Sequence, residues 1–416
     1  MRSVVWLILV FVGAVVAATV LGRNDALVSF FYGSTRLDMS LNLFLISLLA
    51  LVFLLFSGLQ AINALLSLPV RAREWRALKR ERAAHSALRE ALAELLAARY
   101  ARAQRAAERA LLLQAEAEVL HDDLQFTALA QLIAANGLHR LQDRRGRDDR
   151  LQLALALAQS RKSTGPSVAE GALLLSAEWA LDDRDATRAM RELQALPAGV
   201  GRRTQALRLR LQATRQLRQP LEALQTARLL AKHQAFSPMA AQSLLRSLAI
   251  EALNDAHDDQ QLQQVWERLD NSVRRDAFVV ARAARRAQAL GNVALGRQWL
   301  QPLWEQIGRS EADERLQLAM ALVDCAPGLG SDWLPRIEAA LAQFGHEPAL
   351  VAAAAMAFAD RQLWGKARRP LEQTASAASL PAAVRRQALR CLAGLAREEG
   401  HEDRAAAYDQ RAAMID

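Results

Sequence analysis

The chain has 416 residues, 52% of them hydrophobic but only 5% aromatic, so alanine and leucine supply most of its apolar surface. Its net charge of +9 is concentrated at the start: residues 1–82 hold nine basic and four acidic side chains, and the other 334 hold 44 and 40. That mixed-charge body argues against a nucleic-acid reader, which gathers positive charge on one face. Two widely separated cysteines, Cys325 and Cys391, exclude a disulfide framework or a CxxC site.

In chain order, Ser3–Gly22 carries no charge and has the length, about 20 residues, of a helix that crosses a bilayer. A cleaved signal peptide fits less well. Its basic start would be Arg2 alone, and Ala17-Ala18-Thr19 offers no A-x-A exit. Residues 23–38 form a short external linker with strand character around Tyr32-Gly33-Ser34. Met39–Val70 is a second uncharged run, longer than one crossing requires and most apolar over Leu41–Leu59. The predicted second span covers about residues 40–62, and the remainder tilts or leaves the bilayer before Pro69. Residues 1–70 therefore read as a transmembrane hairpin.

Residues 71–82 form a basic juxtamembrane segment carrying Arg71, Arg73, Arg76, Lys79, Arg80 and Arg82, whereas the linker carries only Arg23 and Arg36. The positive-inside bias places both termini and all that follows in the cytoplasm. The cluster reads as a topology signal in contact with lipid headgroups rather than as a dock for an acidic partner.

Residues 83–416 show a helical pattern broken by turns. Turn signals recur at Gly146, Arg184, Gln219, Asp258, Asn292, Ser331, Gly365 and Gly400. Their near-regular spacing fits helix–turn–helix units of the tetratricopeptide class, whose period is about 34 residues, and predicts about nine helix pairs. In the first unit Leu92, Leu95 and Leu96 share one helix face, and Tyr100, Ala103, Ala107 and Ala110 line the second helix, where small residues let the pair nest. A similar step recurs at Trp364-Gly365-Lys366-Ala367, followed by Leu371 and Ala375. Thr164-Gly165-Pro166-Ser167 predicts a boundary, with Ser167 as N-cap and Glu170 completing a capping box. The expected fold class is all-α: a two-helix membrane hairpin followed by a tetratricopeptide-like solenoid.

Signals for chemistry fail on context. Gly199-Val200-Gly201 follows no strand, so it is not a dinucleotide loop, and Gly365-Lys366 lacks the upstream glycine of a phosphate loop. None of the seven histidines has another at i+3 or i+4, so no helical metal pair exists. No catalytic residue, metal or cofactor is expected. One His or Cys suffices for axial haem ligation, which leaves haem open as a bound ligand. Trp179, Trp266, Trp299, Trp304, Trp333 and Trp364 read as packing between repeats, each indole N–H reaching a backbone partner.

The whole order resembles the HemY family of proteobacterial inner-membrane proteins linked to haem biosynthesis. The resemblance rests on the Val4–Leu21 span, the short linker, the Leu41–Leu59 span, the basic exit Val70–Arg82, the repeat Ala91–Leu111 and the degenerate tetratricopeptide array that follows. An unrelated flavoenzyme, protoporphyrinogen oxidase, has shared the label, but this chain lacks its flavin-binding glycine loop. The resemblance implies a multi-pass inner-membrane protein acting late in protohaem formation. The expected mechanism is a scaffold that binds tetrapyrrole enzymes such as ferrochelatase at the cytoplasmic face. One alternative is a haem or porphyrin carrier using Arg282, Arg285 and Arg286 against propionates, and a second is a general assembly platform for envelope proteins.

Overall fold

The computed structural model describes residues 26–159 and 166–415; the predicted span Ser3–Gly22 and the turn residues Thr164 and Gly165 lie outside them. Among the described residues the chain is helical except for one β-hairpin, and it divides into two compact units, residues 1–150 and 151–416.

The first unit opens with antiparallel strands β1 (Leu27–Tyr32) and β2 (Thr35–Ser40), joined at Gly33, whose φ of 58° suits glycine. Helix α1 (Leu41–Leu96) follows with no loop, and the Ser40 hydroxyl caps it by accepting from the Leu43 amide at 3.3 Å. Its Leu41–Ile62 segment is long and apolar enough to cross a membrane, and none of it is buried against protein. Pro69 lies within this helix. Although proline removes a backbone donor and crowds the preceding turn, the helix runs through it, 56 residues in all and about 84 Å long at 1.5 Å per residue. The expected boundaries at residues 70 and 82 therefore both fall inside one helix.

The far end of α1 packs against α2 (Tyr100–Glu116) and α3 (Leu124–Arg140). The buried stripe is Ala84, Ala87 and Ala91, spaced i, i+3, i+7, which meets Ala106, Ala107, Ala110 and Ala134. The sequence pattern puts Leu92, Leu95 and Leu96 there. Instead Leu92 and Leu96 are exposed and Leu95 is half-buried, because two alanine-lined helices approach too closely for leucine in the seam. Ala103, Ala107 and Ala110 are fully buried and Tyr100 is half-buried. The buried Gln114 amide donates to the carbonyls of Leu120 and Asp123, each at 2.9 Å, and so ties down the loop before α3. Helix α4 (Arg144–Gln159) follows, its buried Arg147 lying 3.1 Å from His139 Nδ1 and 2.9 Å from Asp148.

The second unit is a run of seven helix pairs: α5 (Pro166–Asp182) with α6 (Ala186–Gln194), α8 (Thr204–Gln216) with α9 (Pro220–Lys232), α10 (Pro238–Asn254) with α11 (Asp259–Arg268), α13 (Ala277–Ala289) with α14 (Val293–Trp304), α15 (Ala312–Asp324) with α16 (Leu334–Phe344), α17 (Pro348–Asp360) with α18 (Trp364–Ser376), and α19 (Ala382–Glu398) with α20 (Glu402–Ala413). Short helices α7 (Ala198–Gly201) and α12 (Asn271–Arg274) lie between pairs. These pairs are consecutive in the chain; α16 packs chiefly on α17 rather than on α15. Within the second unit the first helices of successive pairs recur at the interval of the turn signals. Each of α10, α13, α15, α17 and α19 packs on the next in that order. Helix α17 is the centre of the largest core: Ala349–Ala359 is buried on every side, as expected of a helix apolar all round.

Most turns within a pair use one device. Ala98, Gln142, Arg184, Arg218, Gly291, Gln362 and Gly400 take φ between 54° and 89°, as does Gln234 between two pairs. At Gly291, its amide donates to Gln288 and the Asn292 amide to Ala287, each at 2.9 Å; Arg184 and Asp185 do the same to Leu181 and Ala180. This is the Schellman closure of a helix C-terminus. Gly146 and Gly365, expected in turns, instead sit in the first turn of α4 and α18; the chain reverses at Gln142 and Gln362. Ser167 is likewise inside α5, not its cap, and Glu170 accepts from Arg203 at 2.9 Å. A reciprocal cap does occur at α15, where Glu314 accepts from the Glu311 amide at 3.1 Å.

Because the left-handed region strains any residue with a Cβ, Arg218→Gly, at an exposed position, is expected to stabilise the chain by about 0.5–1 kcal/mol. Gly400→Ala is expected to destabilise it by about 1 kcal/mol. Chemical denaturation of the two variants beside the parent chain reads both; a shift of the same sign in each would sink the argument.

Candidate membrane anchor and binding surfaces

No cluster of three His, Cys, Asp or Glu that could hold a metal occurs among the described residues. Gly199 and Gly201 belong to the one-turn helix α7, with no strand before them. What the structure presents instead is an apolar rod, a basic collar and surfaces built from helix pairs.

The collar lies on the exposed stretch of α1 between the apolar segment and the first repeat. Arg73, Arg76, Lys79, Arg80 and Arg82 are all exposed, and Arg71 is part of the same helix. Lys79 stands 5.1 Å from the centre of the exposed Trp75 ring, and Arg80 donates to the Glu116 carbonyl at 3.4 Å. Trp75 and the stems of these long side chains suit a headgroup layer, apolar in body and polar at the tip. From Ile62 to Ala84, the first buried alanine, is about 33 Å of helix.

In the second unit, side-chain ties join neighbouring pairs at sequence separations close to one repeat. Arg246 donates to Asp276 at 2.9 Å, Arg297 to the Cys325 carbonyl at 3.0 Å, and Arg315 to Glu347 at 2.9 and 3.1 Å; Asp360 accepts from the Gly328 and Leu329 amides at 3.1 and 3.0 Å. The Arg315–Glu347 bond holds the guanidinium above its ordinary pKa, and the ring of Phe344 lies 4.3 Å away. The arginines considered as propionate binders belong to this system. Arg282 is bonded to Asn254, Arg285 pairs with Asp324 at 3.3 Å, and Arg286 donates twice to the Ala256 carbonyl. All three thus face groups on neighbouring pairs, Arg285 through an ion pair alone.

The tryptophans divide. Trp179, Trp304 and Trp333 are buried, and Trp304 meets Trp333 edge-on at 6.1 Å. The Trp304 indole N–H has no hydrogen-bond partner among the described residues, contrary to the expected backbone contact. Trp266 and Trp299 are half-buried and stack at 4.5 Å and 22°. They face a cleft of about 700 Å³ lined also by Arg274, Arg275, Gln298 and Gln306, with no acidic side chain among its described lining residues. All six tryptophans read from the sequence as packing between repeats. Yet Trp266, Trp299 and Trp333 follow one another at about one repeat period, roughly 34 residues. The first two occupy equivalent places on successive second helices.

The candidate axial ligands are also placed. His139 is buried beside Arg147, and the other six histidines are exposed. Cys325 is fully buried where α13, α14 and α15 meet. Its thiol points at the Ala284 carbonyl, 3.6 Å away, and a Cβ on Gly296 would come within 3.0 Å of its sulfur. Burial, with Asp324 adjacent, pushes the thiol up to about 12, so the thiolate that would bind a metal or attack an alkylating agent is suppressed.

Residues 27–142 match the family model described as HemY protein N-terminus. The match covers the hairpin, the apolar rod, the collar and the helices as far as α3. No curated protein matches the chain.

Iodoacetamide at pH 8 is expected to leave Cys325 unmodified in the folded chain and to label it after denaturation. Peptide mass mapping checks this; rapid native labelling would mean that the seam at Gly296 opens.

Proposed function

We propose, from the chain's membership of the HemY family, that it is a non-catalytic, membrane-anchored scaffold acting late in protohaem formation. The family is associated with haem biosynthesis, and the matched domain is the HemY N-terminus rather than a flavin oxidase. The observation that carries the reading is helix α1: one uninterrupted helix is apolar and exposed over Leu41–Ile62, basic over Arg71–Arg82, and packed into the first helix pair from Ala84. Anchor and first repeat therefore share one rigid element.

In this reading Ser3–Gly22 is a second span, the collar lies at the cytoplasmic surface, and the helix pairs form a tetratricopeptide-like solenoid on that side. Arginine and lysine at an anionic surface contribute about 1 kcal/mol each. The solenoid binds soluble tetrapyrrole enzymes, ferrochelatase among them. Holding successive enzymes at one surface raises their effective concentration and shortens the path of reactive porphyrins. Repeat arrays suit that work because each pair needs only its neighbours for stability and leaves long surfaces free.

The Trp266–Trp299 cleft favours a second reading, a tetrapyrrole carrier. Two stacked indoles with Arg274 and Arg275 and no carboxylate among the described lining residues suit a flat apolar anion. Haem titration separates the two: a saturable Soret shift abolished by Trp299→Ala supports the carrier.

For the scaffold, crosslinking in native membranes is expected to recover ferrochelatase or another tetrapyrrole enzyme, dependent on residues 83–416. Replacing three consecutive residues within 72–78 by Gly-Pro-Gly, which uncouples the rod, is expected to preserve this binding but lower haem output. Unchanged output would remove rigid coupling from the mechanism, and recovery of unrelated envelope proteins alone would point to a general assembly platform.

A further inference from the structure

The β-hairpin ahead of α1 has a two-sided character that the scaffold reading leaves unused. Its register pairs Val28 with Met39, Phe30 with Leu37 and Tyr32 with Thr35, so these six side chains share one face. The opposite face pairs Leu27 with Ser40, Ser29 with Asp38 and Phe31 with Arg36, so it mixes a polar cluster with two exposed apolar side chains, Leu27 and Phe31. The polar groups of this face satisfy one another. Asp38 accepts from the Ser29 hydroxyl and from Arg36 Nε (the latter at 2.8 Å), and Arg36 lies 5.6 Å from the centre of the Phe31 ring. The Ser29 bond, then the Arg36 bond, hold the Asp38 carboxyl below the usual carboxylate range.

The other face is apolar and uncovered: Phe30 is 46% exposed, Leu37 63% and Tyr32 87%. A two-stranded hairpin is marginal in water, and such a face makes it less favourable still. The hairpin is continuous with the rod, since Leu41 donates to the Ala26 carbonyl at 2.9 Å and the Phe30 ring meets Phe44 at 5.5 Å. Its apolar face therefore adjoins the exposed apolar surface that begins at Leu41.

We propose that the hairpin is an interfacial outrigger: its Val28, Phe30, Tyr32, Leu37 and Met39 face lies in the headgroup layer at the N-terminal end of the Leu41–Ile62 span, and its Ser29–Arg36–Asp38 face points to water. This rests on the reading of Leu41–Ile62 as a membrane span. Depth is limited by the backbone. Each strand has an outer edge of unpaired N–H and C=O groups, which hydrocarbon does not tolerate but headgroups and water satisfy. Aromatic side chains prefer that layer. A flat element fixed to one end of a single helix also resists rolling of the helix about its axis. Because α1 continues without a break into the first helix pair, the outrigger sets which way that pair faces.

The test is nitroxide accessibility of the full chain in phosphatidylethanolamine–phosphatidylglycerol vesicles. The background carries Cys391→Ala and keeps Cys325, whose buried thiol does not label. Labels are placed by Tyr32→Cys and Leu37→Cys on the apolar face, by Ser29→Cys and Arg36→Cys on the polar face, and by Phe53→Cys in the span. The expected result is oxygen exceeding nickel chelate in accessibility at 53, 32 and 37, with the ratio at least several-fold lower at 29 and 36. Equal aqueous accessibility at all four hairpin positions, with 53 in lipid, overturns the outrigger alone. Protection of 32 and 37 from both reagents also overturns it, showing protein rather than lipid against that face. Aqueous access at 53 overturns the span reading itself.

Discussion

Close approach of alanine-lined helices is the constraint on which the rest depends. In the first unit Ala84, Ala87 and Ala91 meet Ala106, Ala107, Ala110 and Ala134. In the second, Ala352–Ala355 lie at the heart of the largest core. Small side chains bring axes together, but each buries little apolar area, so stability comes from many thin seams in place of one thick core. Glycine completes the closest crossings: a Cβ at Gly296 would lie 2.8 Å from the Ala284 carbonyl. Nearly flat seams also leave polar side chains at their rims. Arginine reaches from one pair to a carbonyl or carboxylate on the next, and this is where Arg246, Arg286, Arg297 and Arg315 are used.

The same economy explains the turns. A Schellman closure reverses the chain within a few residues, which keeps the helices of a pair adjacent, and it needs one residue in the left-handed region. Of the positions that close these turns, Gly291 and Gly400 meet that need without strain; Arg184, Arg218 and Gln362 take the conformation regardless because the packed helices on both sides fix the backbone.

Function follows from what is rigid and what is exposed. One helix carries the apolar segment, the basic collar and the first packed alanines, so the apolar segment and the first helix pair belong to a single element. Beyond it, many arginines are consumed by structure, which narrows the free chemistry of the second unit to places such as the Trp266–Trp299 cleft, where guanidinium groups line an opening without carboxylates among its described lining residues.

Several features were legible in the sequence itself: the apolar run at Leu41–Leu59, the basic cluster after it, the helical periodicity, and the interval between successive helices, although two of the residues that marked it, Gly146 and Gly365, lie just inside helices. These depend on local composition and on the chain distance between equivalent turns, which the linear order records directly. Helix partners and breaks were decided only by tertiary structure. Pro69, Gly146 and Gly365 are helix breakers by local preference, yet each lies within a helix; the two glycines occupy first turns, and α1 runs on through Pro69. Leucine at 92 and 96 reads as core because it is the larger apolar residue, but the positions of that helix that are fully buried are Ala84, Ala87 and Ala91. Likewise the roles of Arg282, Arg285 and Arg286, and the stacking of Trp266 on Trp299, depend on groups about one repeat away in sequence, whose nearness exists only once the helix pairs have packed.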